Sequence, residues 1–246
     1  MTKAMGLKNI LPLLEAEELS CAPPSWKSLD MLEKELGTPA LLLELYLDNL
    51  AKAKTQEIAL SIHLDDEEAK QKAAQTVFRR SFLGVYRSPM PFSQDTQVYL
   101  SPAMCSLLQK DMSAHEAAQP TGKPLARGKS RLAERPEGWI SAAELSKNRS
   151  CSREQVSADF TLLRDLLVEK MSNDPLAEKE VQLAVKKHLF GTYPTNEWGG
   201  HSLMASPLAM DVFDHKSDII DFNLAEVRAA RYRLKRQPRS TVGHQL

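Results

Sequence analysis

The chain has 246 residues, 42% of them hydrophobic, with 32 basic and 32 acidic side chains in balance. That length and composition permit one large domain or two small ones with a real core, and the zero formal charge excludes a protein that coats nucleic acid through its overall field. Any contact with nucleic acid has to rest on local patches.

Cys21, Cys105 and Cys151 are far apart and never form a CxxC pair, which argues for a reducing compartment and against a disulfide framework or a structural zinc. The N-terminal stretch has a short apolar run that acidic residues follow at once, with no small-residue cleavage site. No run approaches the roughly 20 apolar residues that span a bilayer. The expectation is a cytoplasmic protein without membrane insertion.

In chain order, Ser28 precedes apolar positions Leu29, Leu32 and Leu36, and Gly37 stops the pattern. Thr38-Pro39 then restarts a helix whose Leu41, Leu42, Leu45, Leu50 and Ile58 suit a buried face. The acidic cluster Asp65 to Glu68 predicts the start of a third helix, since negative charge favours a helix N-terminus. "LGVYRSPMPFSQDTQVYL" has the aromatic and β-branched residues and the polar turn of one short hairpin. Ser101-Pro102 opens a fourth helix.

From Ser113 to Gly138 the composition shifts to Ala, Pro, Gly, Lys and Arg, as in an interdomain linker. The linker is basic through Lys123, Arg127, Lys129, Arg131 and Arg135. Its "GKPLARGKS" imitates a phosphate-binding loop, but five residues separate Gly122 from Gly128 where the motif needs four, and no strand leads into it.

Beyond the linker, Ser141 with Glu144 and Ser152 with Gln155 form two capping boxes, predicting two short helices broken near Arg149 to Cys151. Leu145 faces inward, small Ser146 allows close crossing, Cys151 is the apolar plug of the turn, and Val156, Phe160 and Leu163 form the inner stripe of the second helix. This is a helix-turn-helix pattern. The exposed side chains near the second N-terminus would meet base edges and the flanking cations would meet phosphates.

"SREQVSADFTLL", Ser152 to Leu163, resembles the recognition-helix region of partition proteins of the ParB/KorB type, and "LAEKEVQLA", Leu176 to Ala184, resembles their following helix. "ELSKNRSCSREQVSADFTLL" is similar, more weakly, to winged helix-turn-helix repressors of the DeoR type, although no β wing is evident after the second helix. The resemblance covers about 45 residues. It implies duplex DNA contact through the helix-turn-helix and carries over no nucleotide-dependent clamp, because the first half has no arginine-rich nucleotide motif.

Another helix is read in "DPLAEKEVQLAVKKHLF", closed by Gly191, and a last one in "NLAEVRAARYRLKRQ", ending in a basic tail. Between them "TYPTNEWGGHSLMASPLAMDVFDHKSD" shows no defensible period, and no internal repeat is visible along the chain. Trp26, Trp139 and Trp198 read as core anchors.

These observations give a mainly α-helical fold: a helical domain at 1–112, a basic flexible linker at 113–138, a helix-turn-helix domain at 139–191, and an irregular segment with a basic C-terminal helix at 192–246. The expected function is DNA binding for transcriptional regulation or plasmid and chromosome maintenance. Lys147, Asn148, Arg149, Ser152, Arg153, Gln155 and Ser157, with Lys129 and Arg131 of the linker, are the candidate DNA contacts. Homodimerisation through the leucine-rich helices between Leu29 and Ile58 would match palindromic half-sites. The alternative is a helical adaptor or structural subunit with protein partners in a secretion or conjugation assembly. No catalytic constellation, metal-ligand spacing or cofactor motif emerges, so no enzyme is expected.

Overall fold

In the computed structural model the described residues are 22–87, 96–116, 136–172, 176–194 and 201–216, with 219, 220, 222–225 and 227–229. The fold is mainly helical with two small antiparallel sheets. Its elements run β1 (Lys27–Ser28), α1 (Leu29–Leu36), α2 (Ala40–Ser61), α3 (Glu67–Ser81), β2 (Leu83–Arg87), β3 (Thr96–Leu100) and α4 (Pro102–His115). Then follow β4 (Ile140–Ser141), α5 (Ala142–Arg149), α6 (Arg153–Met171), α7 (Glu178–His188), β5 (Phe190–Pro194), β6 (His201–Ala205) and α8 (Pro207–Phe213).

Contrary to the expectation of no internal repeat, the second series repeats the first element by element. The sheets have the orders β1-β3-β2 and β4-β6-β5. Leu83 pairs with Leu100 through to Arg87 with Thr96, and Phe190 pairs with Ala205 through to Pro194 with His201. The two-residue opening strands join the same way, Lys27 to Leu100 and Ile140 to Ala205. Trp26 meets Tyr86 edge-on at 5.8 Å between ring centroids, and Trp139 meets Tyr193 in the same manner at 5.8 Å. The Ser101 amide donates to the Phe82 carbonyl at 2.9 Å, and the Ser206 amide donates to the Leu189 carbonyl at 2.9 Å.

Local chemistry explains why these residues make these elements. Ser28, Ser101, Ser141 and Ser206 each accept a backbone N–H from the first turn of the helix that follows them, which satisfies a donor the helix cannot bond itself. Gly37 ends α1 at φ 59°, in the left-handed conformation glycine adopts without a Cβ penalty. The restart of α2 departs from the sequence expectation. Pro39 takes the cap position with no side-chain bond, and the buried Glu33 of α1 accepts from the Ala40 amide at 3.0 Å instead.

The core passes through both repeats in one connected cluster, from Leu29, Leu32 and Leu43 to Phe160, Phe190 and Val212. Every residue from Leu42 to Asp48 in α2 is buried, as expected of a helix covered on all sides. Of the leucines read as a dimer face, Leu29, Leu32, Leu42 and Leu45 are therefore buried inside the chain, while Leu36, Leu41, Leu50 and Ile58 are partly buried against the same core. Tyr46 of α2 is hydrogen-bonded to His188 of α7 at 3.1 Å, the Trp139 indole donates to the His115 carbonyl at 3.3 Å, and Lys187 pairs with Glu116 at 2.6 Å. These are ties between the repeats.

Three further expectations are corrected. The stretch without a defensible period contains β5, β6 and α8, so there are two hairpins among the described residues where the sequence suggested one. Gly191 does not close α7, which ends at His188, but lies in β5. A hairpin also stands after α6, with α7 interposed, where no wing was evident. Trp139 is buried and Trp26 half-buried, while Trp198 and the linker cations lie outside the described residues.

Candidate functional site

The helix-turn-helix is α5, its turn and α6. The Ser141 hydroxyl accepts from the Glu144 amide at 3.2 Å, and Glu144 accepts from the Ser141 amide at 2.8 Å, completing the capping box. Ser150 then takes a left-handed φ of 51°, uncommon for a residue with a Cβ. The Ser146 carbonyl accepts both the Ser150 and the Cys151 amide. Ser152 restarts the chain as the N-cap of α6, accepting from the Gln155 amide at 3.1 Å. The inner stripe is as expected: Leu145, Val156, Phe160 and Leu163 are all buried.

Cys151 does not plug the turn. Its side chain is exposed, because the backbone bonds to Ser146 close the corner and the apolar fill comes from the helices. Lys147, Asn148, Arg149, Ser152, Arg153 and Gln155 lie on one continuous exposed stretch, and Ser157 is half-buried. Lys129 and Arg131 lie outside the described residues, so the structure does not bring them to this tip.

Arg149 has an additional duty. Its guanidinium pairs with Asp214 and lies 5.2 Å from the centroid of the Phe213 ring, holding the end of α5 against the end of α8. Gln155 is also engaged, its amide donating to Asp159 Oδ1 at 2.9 Å. Asp159 is 3% exposed and accepts both the Nε, at 2.9 Å, and the Nη2 of Arg228. Sequence reading missed Asp159 and Asp214 as partners and read Arg228 only as part of the basic C-terminal helix. The signal for the first was a carboxylate wedged between the inward positions Val156 and Phe160 of an apolar face.

The corresponding corner of the first repeat is built differently. Thr38 and Pro39, the counterparts of Cys151 and Ser152, are buried. Leu36, Gly37 and Thr38 form one wall of a cleft of about 400 Å³, faced by Glu180, Ala184 and Lys187 of α7. One corner buries its last two residues at the edge of a cleft, and the other stands in solvent throughout.

The electrostatics of the junction are those of a dry interior. Desolvation pushes the His188 imidazole down to about 4 against the partial restoring effect of Glu116, so it is neutral at pH 7. Burial also raises the Tyr46 phenol well above its usual range. No three His, Cys, Asp or Glu side chains among the described residues are grouped to hold a metal ion, and no described helix is long and apolar enough to cross a membrane.

Protein-family models, curated proteins and solved structures yield no match to this chain.

Proposed function

We propose that this is a DNA-binding protein whose second repeat contacts duplex DNA through the α5–α6 corner, serving transcriptional regulation or plasmid and chromosome maintenance. The observation that carries the reading is the contrast between the two corners. The first repeat buries Thr38 and Pro39, while the second leaves the entire run from Lys147 to Gln155 exposed. A helix-turn-helix meets base edges with the first turn of its second helix, and here that turn offers Arg153, Gln155 and Ser157. Lys147 and Arg149 stand beside it for phosphates. The hairpin β5–β6, bonded to β4 in the order β4-β6-β5, supports the reading because a winged unit sets such a hairpin against its helix-turn-helix. The ParB/KorB-type and DeoR-type likenesses of the sequence point the same way.

The test is binding of the full chain to random-sequence duplex DNA at two salt concentrations, with selection of bound sequences. A Lys147→Ala/Arg153→Ala variant, which spares the Arg149–Asp214 pair, runs beside it. Salt-sensitive binding that enriches a motif and is lost in the variant is the expected result. Equal binding by variant and wild type would remove the assignment of this corner.

A second reading has one observation in its favour. Glu154, Asp165 and Glu169 recur at helical spacing and are all exposed, giving α6 an acidic outward line that repels phosphate and suits a basic protein partner. Absence of duplex binding at low salt, with capture of the chain by a multiprotein assembly that fails on Asp165→Lys/Glu169→Lys, would establish the helical adaptor instead.

A further inference from the structure

The long helices of the two repeats place an inward polar group at the same point, Tyr46 in α2 and Asp159 in α6, three residues beyond Leu43 and Val156 respectively. In the first repeat Tyr46 is tied to His188 of the element that packs over it. In the second repeat the tie goes to the C-terminal segment. Ile220 and Phe222 are buried in the core, with Phe222 stacked on His215 at 6.0 Å. The Asn223 side chain then accepts from the Ala225 amide at 3.1 Å to open a new helical turn. That turn delivers Arg228 to Asp159.

We propose that Asp159 is the positioning residue of the DNA-contacting corner: its buried carboxylate grips Arg228 and Gln155 together, so that docking of the C-terminal segment sets the pose of Gln155. The proposal rests on the DNA reading above and adds the device that gives that corner its selectivity.

The geometry leaves Asp159 few alternatives. A buried carboxylate needs its lone pairs occupied, and three N–H groups supply them, two from one guanidinium fork and one from the Gln155 amide. The guanidinium fork fixes the carboxylate plane, because a two-point contact has one in-plane orientation. The fixed plane in turn aims Oδ1 at Gln155, one helical turn earlier and two residues before Ser157. Without Arg228 the carboxylate turns toward water and Gln155 samples its rotamers freely. An amide that must reach a base edge with two-point geometry loses discrimination when its rotamer is not held.

The experiment uses the full chain, wild type beside Arg228→Gln, Arg228→Lys and Asp159→Asn. Two quantities are read: the side-chain amide signals of Gln155 by ¹⁵N NMR, and the ratio of affinities for a selected and a random duplex. In wild type the Gln155 side-chain protons should exchange slowly and resonate away from those of exposed glutamines. Arg228→Gln should return them to exposed values and cut the affinity ratio at least tenfold while leaving the salt slope on random duplex unchanged. Arg228→Lys should recover part of both. Should Asp159→Asn fail to fold, the two Arg228 variants still decide the matter. An unchanged Gln155 signal, or an unchanged affinity ratio with only a lowered Tm, would overturn the proposal and leave the pair as a packing contact. Wild type that binds no duplex would overturn the DNA reading and the selectivity claim with it, and the Gln155 signals would still show whether Asp159 holds that side chain.

Discussion

Gly37 and Ser150 occupy the same corner of the two repeats and share a left-handed backbone, φ 59° and φ 51°. One copy meets that conformation with the residue that adopts it without strain, and the other with a residue that has a Cβ. Ser150→Gly should therefore raise stability by about 0.5–1 kcal/mol, and Gly37→Ser should lower it by about 1 kcal/mol or more. Paired urea or thermal melts read both. A destabilised Ser150→Gly would show that the serine side chain does something the backbone angle does not require.

The two long helices are capped by different means, and substitution should separate them. Ser152→Ala removes the acceptor for the Gln155 amide and should cost about 1 kcal/mol. Ser152→Asp should restore it. Glu33→Gln keeps an acceptor for Ala40 and should be milder than Glu33→Ala, because the latter leaves the half-buried amide of Ala40 without its carboxylate. Equal melting temperatures for the two Glu33 variants would contradict the capping role.

His188 makes stability depend on pH in a definite direction. Its folded-state value lies near 4, below the ordinary 6.5, because burial disfavours the cation. Between those values the unfolded chain binds the proton and the folded chain resists it, so stability is full above pH 6.5, falls as pH drops and levels near pH 4. The loss should amount to about 3 kcal/mol at most. Chemical denaturation at pH 7.5 and pH 4.5 should show it, and His188→Gln should flatten the profile over that window. An unchanged slope in the variant would move the acid sensitivity to another group.

The Tyr193 hydroxyl is buried without a hydrogen-bond partner among the described residues, and burial pushes the phenol up to about 12. Tyr193→Phe keeps the ring against Trp139 and removes an unsatisfied polar atom, so it should be neutral or stabilising by up to about 1 kcal/mol. A clear loss of stability would reveal a bond made by that hydroxyl in solution.

Local chemistry was the legible part of the sequence. The caps Ser28, Ser101, Ser141 and Ser152, the stop at Gly37 and the inward stripe Val156, Phe160 and Leu163 depend on neighbours within a few residues, so spacing was enough to find them. The duplication was hidden because few of its positions keep their identity. Trp26 and Trp139, Ser28 and Ser141, Gly84 and Gly191, Tyr86 and Tyr193, and Ser101-Pro102 and Ser206-Pro207 correspond. Most core positions exchange one apolar residue for another, such as Leu47 for Phe160, which keeps the burial and erases the likeness.

The second hairpin was missed for a related reason. "FGTYP" and "HSLMA" do not alternate cleanly, and Pro194 argues against a central strand. The structure resolves the conflict by making β5 the edge strand, where a missing N–H is tolerated. The polar ties were beyond reach altogether. Tyr46 with His188, and Asp159 with Arg228, join residues 142 and 69 positions apart, and no local pattern announces such a pair.

The tie between Tyr46 and His188 also sets an order of events at the ribosome. Leu42 to Asp48, buried on every side in the finished fold, emerge long before α7 is synthesised. At roughly 5–20 residues per second, the nascent chain spends several seconds without the part of that cover that the second repeat supplies. The first repeat can form its own sheet once β3 has been made and can lay α1, α3 and α4 against α2, yet Tyr46 waits for the second repeat to bring its partner His188. Synthesis of the first repeat without the second should therefore yield a chain that holds chaperones and aggregates, while the full chain leaves the ribosome with its own cover.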